Sequence, residues 1–183
     1  MSYKIWLYIA SFLFGAGLVG GLFLPVDGPG LLTEDLAALE DMAGLIFSLP
    51  QIAVFFLILV KNISVVVISL IFSPFFLLVP ALSLVVNGGV VGLVSVLVIR
   101  EYSLMYLLSG LLPHGIFEIP ALIMAEAVAF SFGSLVFVAL FNRERRQQLI
   151  PNLRQYSSKL KIVLLLLVIA AAIETWITPL LLG

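Results

Sequence analysis

His114 is the only histidine in the chain, and it stands in the string Leu112-Pro113-His114-Gly115-Ile116-Phe117-Glu118-Ile119-Pro120. Residues four apart on a helix share one face, so a helical 114–118 brings His114 and Glu118 together. That pair suits a histidine–carboxylate hydrogen bond or two ligands of a metal ion. A zincin needs a second histidine and a glutamate just after the first, and this string has neither. With no Cys or Asp nearby to complete a ligand set, no metal is expected.

Other polar residues interrupt otherwise apolar runs: Lys61, Asn62, Asn87, Glu126 and Glu174. Such groups are expensive in hydrocarbon and are expected to face protein or a water-filled cavity. Asn62, Lys61, Asn87, His114, Glu118 and Glu126 are the candidate binding or buried polar centre, with Pro113, Gly115 and Pro120 setting a structural break. Lys61 and Glu126 each fall about 15 Å into their crossings at 1.5 Å per residue, and Glu174 lies at comparable depth. Matched depth invites a pairing of Lys61 with Glu126 or Glu174; the other reading is that Lys61 snorkels to an interface, if the second crossing starts at Asn62. No Walker A, G-x-S-x-G or paired-Asp motif is present. Glu118 and Glu126 are two turns apart on one helix and cannot converge alone on a reacting atom. No catalytic residue and no cofactor is expected.

The elements that must position these residues follow from composition. Of 183 residues 63 % are apolar and 10 % charged, and the mean hydropathy is +1.27. A water-facing surface needs roughly a quarter or more charged residues, so the chain reads as a polytopic membrane protein with little mass outside the bilayer. The composition argues against nucleic acid as a partner. The absence of cysteine excludes disulfides, thiolate metal sites and Cys nucleophiles.

A crossing needs about 20 apolar residues. The fold class expected is an all-α bundle forming a single transmembrane domain over 1–183, with five crossings near 4–24, 51–72, 74–99, 116–141 and 162–182. A rival cut makes 45–60 interfacial and starts the second crossing at Asn62. Proline disfavours helical geometry in the residue before it and glycine tolerates unusual dihedrals. A re-entrant or half-helix, 103–112, is therefore expected to break at Pro113-His114-Gly115. Residues 25–44 hold five acids and no base, and Thr33 is placed to cap an amphipathic helix there. Six of the nine bases fall in 142–161. The positive-inside rule puts that loop and the N-terminus in the cytoplasm, with the acidic segment and the C-terminus outside the cell membrane. Gly17/Gly21 and Gly88/Gly92 form small-xxx-small ridges, which allow close helix approach.

The sequence also resembles the stage II sporulation protein M family of integral membrane proteins. The resemblance covers roughly residues 50–140. It rests on Lys61-Asn62 after an apolar run, on Asn87-Gly88, and above all on Pro113-His114-Gly115 with Glu118 and Pro120; Gly133 follows where the family tends to have a small residue. It implies a five-crossing fold and a central motif. In endospore formers the named member is similar to a membrane anchor that assembles peptidoglycan-degrading enzymes. The expected role is thus non-enzymatic, a scaffold or partner subunit of an envelope complex. Its partners would be the lipid bilayer and a membrane or extracytoplasmic protein, with a homodimer as a further form. The alternative is a small solute, ion or proton transporter with its polar site at the broken helix. Glu126 occupies a stretch where the family is usually small and apolar, and Glu174 lies outside the matching region.

Overall fold

A computed structural model of the protein describes residues 2–25, 49–75 and 77–182. The acidic segment and its expected amphipathic helix therefore lie almost wholly outside the described residues. Among those described there are helices and turns but no strand. In chain order they are α1 (Tyr3–Leu22), α2 (Gln51–Phe72), α3 (Leu78–Glu101), α4 (Leu104–Phe141), α5 (Arg143–Arg146) and α6 (Leu149–Ala172). A π-helical turn, Ile173–Ile177, then leads into α7 (Thr178–Leu182). Taken with the continuous run Leu149–Leu182, five helices are long and apolar enough to cross a membrane.

The prolines explain most of the boundaries. Pro50 lends its carbonyl to the amides of Ala53 and Val54 and opens α2. Pro74 lies in the turn that follows α2, and Pro80 and Pro151 occupy first turns, where a missing N–H costs nothing. The Ser103 hydroxyl accepts from the Tyr106 amide at 3.1 Å and caps α4. At the far end of α4, Arg146 donates to the carbonyls of Ala139 and Leu140. One of the six bases that mark the loop thus also satisfies orphan carbonyls at a helix C-terminus.

The expected half-helix is corrected here. The chain does not break at Pro113-His114-Gly115: α4 is a single 38-residue helix with Pro113 and Pro120 inside it. Each proline removes one hydrogen bond, to the carbonyls of residues 109 and 116, but neighbouring helices hold a membrane helix together across such gaps. The last helix also begins earlier than the apolar run, because its first turns, from Leu149, carry the basic residues.

Helix α4 is the centre of the bundle. Ala125 to Ser131 are buried without interruption, a pattern possible only for a helix covered on every side. Small side chains at Ala121, Ala125, Ala127, Ala129 and Gly133 let its neighbours close in. The two glycine ridges meet each other. A Cβ on Gly88 or Gly92 would overlap the carbonyl of Phe14 or Leu18, and one on Gly21 that of Gly89. Trp6 stacks on Phe130 at 4.9 Å, and Lys159 lies 4.0 Å over the Tyr3 ring. These contacts hold α1 between α3 and α4 and tie its start to the basic end of α6.

Candidate functional site

A cavity of about 410 Å³ lies between α3, the first half of α4, and the π turn with α7. It runs from Val98, Tyr106 and Leu182, at the end remote from the basic loop, to Phe14, Asn87 and Leu122. Along α4 that is sixteen residues, Tyr106 to Leu122, or about 24 Å at 1.5 Å per residue. The lining is mostly aliphatic, with Lys61, Asn87, His114, Glu118 and Glu174 as its charged, imidazole and amide groups and Ser95 and Tyr106 adding hydroxyls.

Helix α4 supplies the imidazole and one of the carboxyls. His114 and Glu118 are one turn apart on the same face, as their spacing requires. Helix α2 brings Lys61, whose Nζ stands 3.9 Å from a Glu118 carboxylate oxygen. The Lys61 side chain is 62 % exposed and that of Glu118 24 %, so this is a loose pair at the cavity edge. Of the expected partners, Glu126 is turned away from Lys61 around α4, whereas Glu174 lines the same cavity as Lys61 without a direct ion pair among those described.

The third carboxyl comes from the other end of the sequence. Glu174 sits in the π turn, where the Thr178 amide bonds back to the carbonyl of Ile173, five residues earlier. A proline two residues after the turn, Pro179, has no N–H for the carbonyl at 175, and its ring would crowd that carbonyl in α geometry. The wider π spacing relieves the crowding. It leaves Glu174 facing α4, where donor atoms of His114, Glu118 and Glu174 all lie within 4.8 Å of one another. The sequence leaves His114 and Glu118 as two donors only; the fold adds a third. Pro179 was the signal that the last helix is irregular where Glu174 lies.

The amides take secondary places. Asn87 donates to the Ser83 carbonyl at 2.7 Å and reaches the cavity wall. Asn62 is buried, and its Nδ2 has no hydrogen-bond partner among the described residues. It lines a second space of about 10 Å³ with Asn87 and Glu118, room for about one water molecule. The buried Nδ1 of His114 likewise has no partner among the described residues.

Glu126 is not part of this cluster. Eight residues beyond Glu118, it is turned by about 80° around α4 and lies about 12 Å further along. Its side chain is fully buried, and one carboxyl oxygen accepts from Ser69 at 2.8 Å and Ser83 at 2.7 Å. Two turns further along α4, Gly133 packs directly on the backbone of Ser73.

These features define a polytopic α-helical membrane protein with a polar cavity in one half and a sealed core in the other. Residues 5–179 match the stage II sporulation protein M family, and the chain belongs to that family. Among curated proteins it is similar to an uncharacterized protein of Methanocaldococcus jannaschii, 28 % identical over 181 residues, covering 96 % of this chain and 95 % of the relative. No solved structure matches.

Proposed function

We propose that the protein binds a small cationic solute in the α3/α4/α7 cavity, as a transporter or channel-like protein does. The observation that carries this reading is the chemistry of the cavity: two carboxyl groups and an imidazole against one ammonium, on helices that cross the membrane. Intramembrane ionisable groups are costly unless they serve a site or pair with one another. Here a single loosely held lysine is set against two carboxyls. By the basic loop 142–161, the cavity lies towards the outer side of the bundle, with the N-terminus in the cytoplasm and the C-terminus outside.

A second reading has its own support. The half of the bundle around Glu126 is closed by alanine-rich packing, and the cavity does not continue past Leu122 along α4. A scaffold or partner subunit of an envelope complex would use such a cavity to seat a partner's charged group. A homodimer is one form of that reading.

The chain contains no cysteine, so single introduced thiols report access cleanly. Ser95→Cys and Gly110→Cys, both on the cavity wall, should react with a membrane-impermeant cationic thiol reagent added outside cells. Ser69→Cys, in the sealed half, should not. Uptake of a cation by proteoliposomes would then favour transport over partner binding. Unreactive thiols at both 95 and 110 would overturn the solute-binding reading.

A further inference from the structure

We propose that His114, Glu118 and Glu174 form a binding site for a divalent first-row transition-metal ion, with Lys61 as the counter-ion the metal displaces. The inference rests on the solute-binding reading and names the class of cation that the cavity takes.

The donor set selects the ion. Calcium and magnesium prefer oxygen-only sites, whereas an imidazole suits zinc, iron and their neighbours, and carboxylates extend the range to manganese. With no cysteine in the chain, thiolate-seeking copper(I) is excluded as a fit. Metal–donor bonds of about 2.0–2.2 Å put neighbouring donors roughly 3–4.3 Å apart. The three donor atoms lie within 4.8 Å of one another, so small side-chain rotations close the set. Three protein donors leave coordination positions open towards the cavity, the arrangement of an exchangeable site rather than of a closed structural one.

Two further observations point to a ligand. Glu174 is delivered by a π turn, a feature that recurs at functional sites because it rotates one side chain out of the helical register. The His114 Nδ1, buried and without a partner among the described residues, leaves the ring's hydrogen-bonding capacity unmet. Lys61 supplies the exchange. At 3.9 Å it is further from Glu118 than the roughly 2.7–2.9 Å of a tight charge-assisted bond. Its long, mostly exposed side chain can swing away when a doubly charged ion arrives.

The test uses the full-length protein, purified in detergent and stripped with a chelator, titrated with Co²⁺ and followed by visible absorption. One Co²⁺ per chain should give d–d bands that Zn²⁺ abolishes and Mg²⁺ does not. Glu174→Gln and His114→Ala should each weaken Co²⁺ binding by roughly 100-fold or more, since even outer-shell losses cost up to that much. Lys61→Met should tighten it about 10-fold, by removing one nearby positive charge. Melting curves check that each variant is folded. Absence of Co²⁺ binding in both the parent protein and Lys61→Met, with thiols at 95 and 110 reactive, overturns the metal site while leaving the hydrated cavity intact. Binding indifferent to Glu174→Gln overturns it as well. If those thiols are unreactive too, the solute-binding reading has failed with it.

Discussion

Helix α4 carries two glutamates eight residues apart, and the bundle treats them in opposite ways. Glu118 faces a cavity, holds a lysine loosely at 3.9 Å and stands near a second carboxyl and an imidazole. Glu126 is enclosed, meets two serine hydroxyls at 2.7–2.8 Å and lines neither of the two cavities described above. In the first setting polar groups outnumber the partners the fold gives them. In the second, small residues close around one carboxyl and two hydroxyls satisfy its Oε1, while its buried Oε2 has no partner among the described residues. The contrast teaches that charge inside this protein has two uses: one glutamate fastens helices together, and the other is left open to something else.

The largest effect should come from breaking the sealed half. A side chain on Gly133 would enter the backbone carbonyl of Ser73, which cannot move as a side-chain tip can. Gly133→Leu is expected to cost more than about 3 kcal/mol, at or beyond the upper end for overpacking, and to appear as lost yield of folded protein. Gly110→Ala is the matched control in the cavity half. A Cβ there meets only Leu182 methyl groups at 3.6 and 3.8 Å, an ordinary contact. Its melting temperature should stay within a degree or two of the parent's, given that surface-like changes fall within about 0.5 kcal/mol. Equal losses for both variants would abolish the distinction between the halves.

A smaller effect separates the two glutamates themselves. Glu126→Ala leaves the Ser69 and Ser83 hydroxyls without their acceptor and opens space in close packing. Leaving buried polar groups unsatisfied costs about 1–3 kcal/mol, so a clear fall in melting temperature is expected. Glu126→Gln keeps a carbonyl acceptor and should recover much of it. Glu174→Gln should barely move the melting temperature in metal-free protein. A Glu174→Gln loss as large as that of Glu126→Ala would mean that the cavity cluster is structural.

The same contrast explains what could be read from sequence. The five crossings were legible, because a 20-residue apolar run has few other uses. That His114 and Glu118 share one face was legible too, from i, i+4 spacing alone. The break at Pro113 was misread through rules that hold where water competes for freed carbonyls; inside a membrane the helix is the cheaper state. Glu174 was noticed as a polar residue at depth, but its meeting with His114 and Glu118 escaped, because that depends on how the last helix packs and on a π turn, neither written in local periodicity. Ser69 and Ser83 escaped for the converse reason. A serine in an apolar run gives no hint of a partner 57 or 43 residues away.

The smallest expected effect concerns the ion pair itself. A lysine that is mostly exposed and 3.9 Å from its carboxylate should contribute little to the fold, about 0–1 kcal/mol by analogy with exposed pairs. A double-mutant cycle of Lys61→Met and Glu118→Gln should therefore show a coupling energy below about 1 kcal/mol in thermal or denaturant unfolding. In metal titrations the same two positions should differ in sign, since Glu118 attracts the cation and Lys61 opposes it. A fold that fastens Lys61 weakly can release it when a competing charge enters, which a tight pair would resist. Strong coupling in unfolding would mean that Lys61 is a fixed strut, and the cavity would then lack the exchangeable counter-ion that distinguishes it from the Glu126 core.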